Sequence, residues 1–138
     1  MTQLQEQAFA EVARGIVDWM TREMRAEDGA LFSSLDADSD GEEGKYYVWS
    51  RDEALALLAS DDYAVAAPHF GLDGPPNFEA HAWNLRVAVP VAEVAARLGI
   101  APEVACARLS AAKSALLDAR AARVRPLAES IAQAVRAA

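Results

Sequence analysis

Between Leu4 and Arg25 the apolar side chains Leu4, Ala8, Val12, Ile16, Trp19 and Met20 return every three or four residues. That is the period of an α-helix with one apolar face, and a strand, whose side chains alternate every second residue, cannot carry it. A long amphipathic helix with a buried face is therefore the strongest constraint on the chain, and it predicts a mainly helical protein with something packed along Leu4 to Met20. "AEDG" closes this helix, Gly29 being suited to a left-handed C-cap. Ser50-Arg51-Asp52-Glu53 reads as a capping box opening a short helix whose apolar face is Leu55, Leu57 and Leu58. Ser60, followed by Asp61 and Asp62, opens another that runs to about Phe70. Pro90 suits the first turn of a short helix that Gly99 ends, and Pro102 opens a long Ala-, Leu- and Arg-rich helix to about Val124. After Pro126, "LAESIAQAV" resumes a weaker helix.

Three stretches read as β-structure. "ALFSSLD" alternates and "KYYVWS" is rich in β-formers, so the two are expected as a hairpin around the acidic turn between them, with Tyr46 and Val48 on one face and Tyr47 and Trp49 on the other. "GLDGPPN" is a dense turn and "HAWNLRVAV" a strand. The expected fold class is mainly α, a helical array with a small antiparallel β element; the missing βαβ rhythm excludes a doubly wound sheet.

The composition narrows the partners. With 138 residues, 53% of them hydrophobic, the chain is expected to form one domain with a real core. A net charge of −8 and a pI near 4.7 disfavour nucleic acid, whose phosphates call for clustered Lys and Arg. No basic start precedes an apolar run and no segment has the length of a membrane span, so a cytoplasmic protein without a membrane partner is expected. The single Cys106 cannot form an internal disulfide, and no CxxC or Cys/His cluster offers a zinc site; it is expected as a buried, inert thiol. No cofactor is expected.

The stretch "SSLDADSDGEEGKYYVW", Ser33 to Trp49, carries the candidate chemistry. Asp36, Asp38, Asp40 and Gly41 follow the opening ligand rhythm of an EF-hand loop, but Tyr47 stands where the bidentate Glu belongs and Glu43 where an apolar residue is usual. No metal ligand set is therefore assigned, and "DSDG" also reads as a plain solvated turn. An enzymatic reading needs two carboxylates, or a His and a carboxylate, around a pocket. Asp36, Asp38 and Glu43 are the candidate acid and base groups. Ser39, Tyr46, Trp49, His81 and Trp83 are the candidate ligand-binding groups, the aromatics suiting a sugar face as well as a core. His69 in "APHFG" reads as a helix-end packing histidine. GxSxG, phosphate-loop and HExxH motifs are absent from the sequence.

The run "DGALFSSLDADSDGEEGKYYVWSRDEALALL", followed by "HFGLDGPPNFE" and "ARAARVRP", resembles the middle of the YyaL-type proteins and their animal relatives, the spermatogenesis-associated proteins with a thioredoxin-like domain. The match runs in order over about residues 9–126, with 127–138 a divergent C-terminal helix. The resemblance implies part of a helical (α/α)6 toroid similar to that of N-acylglucosamine 2-epimerases and six-hairpin glycosidases, with Asp36, Asp38, Ser39 and Glu43 at positions facing its central cavity. The thioredoxin-like domain and its cysteine motif are missing, and the helices are too few to close a toroid. Two functions are therefore expected in competition, beside a calcium- or magnesium-responsive module against which Tyr47 at the last ligand position argues. One is a non-catalytic binding or assembly module; the other is a carbohydrate-active enzyme, a sugar epimerase or hydrolase whose site is completed by oligomerisation. Helix faces left without neighbours imply a homodimer or a tightly repacked compact monomer, with residues 4–20 and 104–117 as the main contacts and a carbohydrate or protein as possible ligand.

Overall fold

The computed structural model describes residues 2–129. They form α1 (Gln3–Glu23), β1 (Ser34–Leu35), β2 (Asp38–Ser39), β3 (Glu42–Glu43), α2 (Arg51–Leu57), α3 (Ser60–Phe70), α4 (Val91–Leu98), α5 (Pro102–Ala121) and β4 (Ala128–Glu129). The chain is mainly helical, as its periodicity predicts, and divides into two compact units, residues 2–41 with 126–129 and Glu42–Arg125.

In the first unit α1 starts at a reciprocal cap that went unread in the sequence. The Gln5 N–H donates to Thr2 Oγ1 at 3.3 Å while the Thr2 N–H donates to Gln5 Oε1 at 2.8 Å, satisfying two donors at a helix end. The helix stops at Met24, in right-handed geometry, and not at Gly29. Gly29, with φ +88°, closes the next turn by donating to the Ala26 carbonyl at 3.0 Å. α1 also departs from expectation in its packing: none of its residues is buried. Leu4 (78% exposed), Phe9 (64%), Val12 (60%) and Ile16 (54%) all stand in solvent.

The expected hairpin is replaced by other pairings. β1 pairs antiparallel with β4, Ser34 opposite Glu129 and Leu35 opposite Ala128, and the Asp36 N–H donates to the Leu127 carbonyl at 2.7 Å. Ala128 and Glu129 are thus strand, where a resumed helix was expected from Leu127; the rest of that expected helix lies outside the described residues.

In the second unit the punctuation residues act mostly as read. Gly71 and Gly99, at φ +79° and +66°, end α3 and α4 in the left-handed region that glycine enters without steric cost. Pro90 sits one position outside α4, as its N-cap. Ser50 Oγ accepts from the Glu53 N–H at 3.1 Å, but the Glu53 carboxylate does not close the box; it meets Arg123 at 2.6 Å. α5 buries Ala105, Leu109, Ala112 and Leu116, a four-three-four spacing that presents one stripe to α3 and α4. Cys106 lies one position off that stripe and is exposed, which corrects the expected buried thiol. Val65, Val94, Ala95, Ala105 and Leu109 form one core cluster, and Trp49, Leu58, Ala66, Ala112 and Leu116 another.

"KYYVWS" is not a strand. The chain turns through residues 44–47, the Tyr47 and Val48 N–H groups both donating to the Gly44 carbonyl. Trp49 alone makes a bridge, to Trp83, through bonds of 3.0 and 2.8 Å. The predicted alternation of faces fails with it, since Tyr46 and Trp49 are both buried. "HAWNLRVAV" is likewise no strand; its only bridges among the described residues are Ala82 to Phe78 and Trp83 to Trp49.

The Phe78–Ala82 bridge encloses an unusual turn. Glu79 (φ 47°) and Ala80 (φ 61°) are both left-handed, a pair of positions that Gly and Asn normally fill. Asn77 braces the loop: its amide Oδ1 accepts from the Asn84 N–H at 2.7 Å and its Nδ2 donates to the Asn84 carbonyl at 3.0 Å. Because a Cβ is disfavoured at positive φ, Ala80→Gly is expected to stabilise the protein by about 0.5–1 kcal/mol. Urea denaturation checks this; a lower midpoint would mean that the loop does not hold that conformation in solution.

Candidate functional site

The acidic stretch forms an ordered turn. Asp36 Oδ1 accepts from the Asp38 N–H at 3.0 Å, an Asx-type bond that fixes the chain's direction before β2. Asp40 (φ 53°) and Gly41 (φ 77°) reverse the chain and lead into β3. Asp36, Asp38 and Glu43 are exposed. Ser39 between them is buried, at 4% exposure. Glu42 pairs with Lys45 at 3.2 Å on the surface. Asp36, Asp38 and Ser39 belong to the first unit and Glu43 to the second. Among the described residues no three His, Cys, Asp or Glu side chains gather as metal ligands do.

The aromatics that follow are held by arginines. Arg123, just beyond α5, donates through Nη1 to the carbonyls of Lys45, Tyr46 and Val48 at 3.3, 3.0 and 2.8 Å. It donates through Nη2 to Glu53 at 2.6 Å, and its guanidinium lies 4.0 Å over the Trp49 ring. A turn leaves carbonyls without the partners a strand would supply, and the forked guanidinium supplies donors in their place. Arg120, one turn earlier, lies over Tyr46 and Tyr47 at 5.7 and 5.4 Å. Its Nε is enclosed without a hydrogen-bond partner, so the ring faces are its compensation. The two rings meet edge-on at 4.9 Å.

Trp83 is part of a second clamp. Arg51 donates to the Leu72 and Gly74 carbonyls at 2.7 and 2.8 Å and lies 4.8 Å over the Trp83 ring, whose Nε1–H donates to Gly74 at 3.3 Å. Tyr46, Trp49 and Trp83 are thus buried and contacted by the protein's own groups. His81 is exposed, its Nδ1 2.6 Å from the Glu79 carbonyl. His69 is buried, with Nδ1 2.8 Å from the Val89 carbonyl, the packing role expected of it. A shallow depression of about 300 Å³ on α1 is lined by Ala13, Arg14, Val17 and Asp18, none of them a candidate from the sequence.

Tyr63 on α3 has a displaced acidity. Burial raises its phenol above the usual value, Asp73 and Asp52 add to the rise, and Arg51 opposes it. The neutral form is therefore favoured in the folded state, so this contribution is complete below the unfolded pKa of about 10 and lost as pH rises through the folded value. Unfolding followed across that alkaline range is expected to show a steeper loss of stability for the natural chain than for Tyr63→Phe.

Arg51, Arg120 and Arg123 were not singled out in the sequence. "ARAARVRP" offers only the density that includes Arg120 and Arg123; that Arg123 serves carbonyls 75 to 78 residues away is set by tertiary packing.

No family model matches the sequence. The chain is 32% identical over 139 residues to spermatogenesis-associated protein 20 of Mus musculus, covering 83% of this chain and 18% of that protein. The Homo sapiens protein of the same name is 28% identical over 145 residues, covering 88% of this chain and 18% of its own length. The Rattus norvegicus protein is 29% identical over 139 residues. The chain thus spans under a fifth of the relatives it matches, and it is distantly related to one part of spermatogenesis-associated protein 20.

Proposed function

We propose that this chain is a non-catalytic helical assembly module, a counterpart of part of the (α/α)6 toroid of the proteins it resembles, and that it associates through α1. The observation that carries the reading is the stripe Leu4, Phe9, Val12 and Ile16, more than half exposed at each position on a helix closed by a capping box. A contiguous apolar face of this kind is a mark of an interaction surface. The inward stripe of α5 is occupied by α3 and α4, leaving Val104 and Leu117 as its exposed apolar groups within the expected 104–117 contact. The carbohydrate-active alternative would draw on Asp36, Asp38 and Glu43, which are exposed.

The test is substitution of the stripe. At concentrations low enough to suppress association, Ile16→Ser is expected to leave the unfolding midpoint unchanged and to reduce binding of an apolar dye. A loss of about 2–5 kcal/mol, the scale of truncating a core side chain, would place the stripe inside the chain's own core and sink the reading.

A further inference from the structure

Resting on the assembly reading above, we infer that α1 is conditionally ordered. In the free chain it passes between helix and coil while the Glu42–Arg125 unit stays folded, and the association proposed above carries the cost of ordering it. The three core clusters of the described residues run from Trp49 to Leu116, and no residue of α1 is buried. Helices in proteins draw most of their stability from packing an apolar face, so a helix that buries nothing is left with what its own sequence supplies.

That supply is concentrated at the two ends. The capping box of Thr2 and Gln5 holds the first turn. At the other end the Met24 carbonyl accepts from the Phe32 N–H at 2.7 Å and the Ala26 N–H donates to the Ala30 carbonyl at 2.8 Å, which ties the helix end to the reversal that follows it. Between these ends stand Gly15 and the β-branched Val12, Ile16, Val17 and Thr21, residues that lose more conformational freedom in a helix than Ala or Leu. A helix of 21 residues is only slightly longer than the roughly 12–15 below which isolated helices are marginal in water. Its middle is therefore close to balance. The apolar stripe exists as a face only in the helical form, and a binding-competent form that is fractionally populated lowers the apparent affinity by that fraction. Association is then set by helix stability as well as by contacts. Gly15 is the lever: a Cβ added there meets nothing within 4 Å, so Gly15→Ala leaves the packing untouched and favours the helix by up to about fivefold.

Amide hydrogen exchange of the full chain, diluted until its sedimentation coefficient no longer falls, tests this. The amides from Val12 to Thr21 are expected to be slowed less than about 100-fold relative to an unstructured peptide, and those of Leu109, Ala112 and Leu116 on α5 more than about 1,000-fold, the level of global unfolding. Gly15→Ala is expected to slow the α1 amides by up to about a further fivefold, to raise the helix ellipticity and to leave the α5 amides unchanged. Amides of α1 as slow as those of α5, or slowed together with them by Gly15→Ala, would show one cooperative structure and overturn the inference. Exchange of α1 at coil rates with no response to Gly15→Ala would overturn it as well, since there would be no helix to populate. In either case the assembly reading is judged separately by Ile16→Ser: it stands if the unfolding midpoint is unchanged and falls if the midpoint drops.

Discussion

Replacing Arg123 by alanine is expected to lower the stability of the Glu42–Arg125 unit by about 3–4 kcal/mol, a large share of the ~5–15 kcal/mol that holds a typical domain together. The side chain is 18% exposed, so its contacts are only weakly screened. It gives charge-assisted bonds to the carbonyls of Lys45, Tyr46 and Val48 and pairs with Glu53. Bonds to a charged group contribute roughly 1.5–3 kcal/mol each, and contacts sharing one guanidinium do not add. The ring contact with Trp49 at 4.0 Å contributes about 0.5–2 kcal/mol more. Truncation also leaves three carbonyls of a turn without these donors, which sets the scale above that of a surface ion pair. Arg123→Lys is expected to recover less than half of the loss, since an ammonium cannot reach three carbonyls and a carboxylate while lying flat on an indole. Urea unfolding of the three proteins, read by tryptophan fluorescence, decides it. If the lysine variant equals the natural chain, charge alone matters and the forked geometry does not.

The second large effect is expected at Gly44. Its φ is +69°, and a Cβ built there lies 2.9 Å from Phe78 Cζ and 3.4 Å from Cε2. Gly44→Ala therefore carries two separable costs: about 1–2 kcal/mol for a side chain in the left-handed region and about 1–3 kcal/mol for overpacking against the ring. The Phe78 main chain is fixed by its N–H and carbonyl, each bonded to Ala82 at 3.0 Å, so the half-buried ring yields only by turning about its own side-chain torsions. A loss of about 2–4 kcal/mol is expected, with Phe78→Leu in the same chain relieving the overpacking share and leaving the backbone share. Full recovery in the double variant would show that the φ angle carries no cost at this position.

These two residues also show where the sequence is readable. α3 and α4 are delimited by Ser60, Gly71, Pro90 and Gly99, local signals whose physics lies within a few residues of the helix ends. The segment Lys45 to Trp49 has the composition of a strand, but its carbonyls are satisfied by an arginine from the far end of the unit, and composition does not record which donor answers a carbonyl. The same limit applies to β1, whose partner β4 is more than ninety residues away, and to the burial of Ser39 beside exposed Asp38. In the candidate site the acidic turn was legible, because Asp36 and Gly41 act on their immediate neighbours. The aromatic positions were legible as aromatics only. Burial of Tyr46, Trp49 and Trp83 follows from arginines whose partners are fixed at long range. α1 was legible as a helix from its period, while its exposure was not, since an apolar stripe announces that it needs cover without naming the cover.

Arg123 has a further consequence for the order of events during synthesis. It joins the start of the second unit to its last residues, so the loop at Lys45 to Val48 stays unlatched until all of α5 has left the ribosome. A nascent chain stopped at Ala121 holds α2 to α5 and the apolar core clusters but lacks the guanidinium that fastens its entrance and lies over Trp49. The unit is thus sealed by its own end, and the closing step spans nearly its full length, the kind of non-local contact that slows folding relative to neighbour-to-neighbour helix packing.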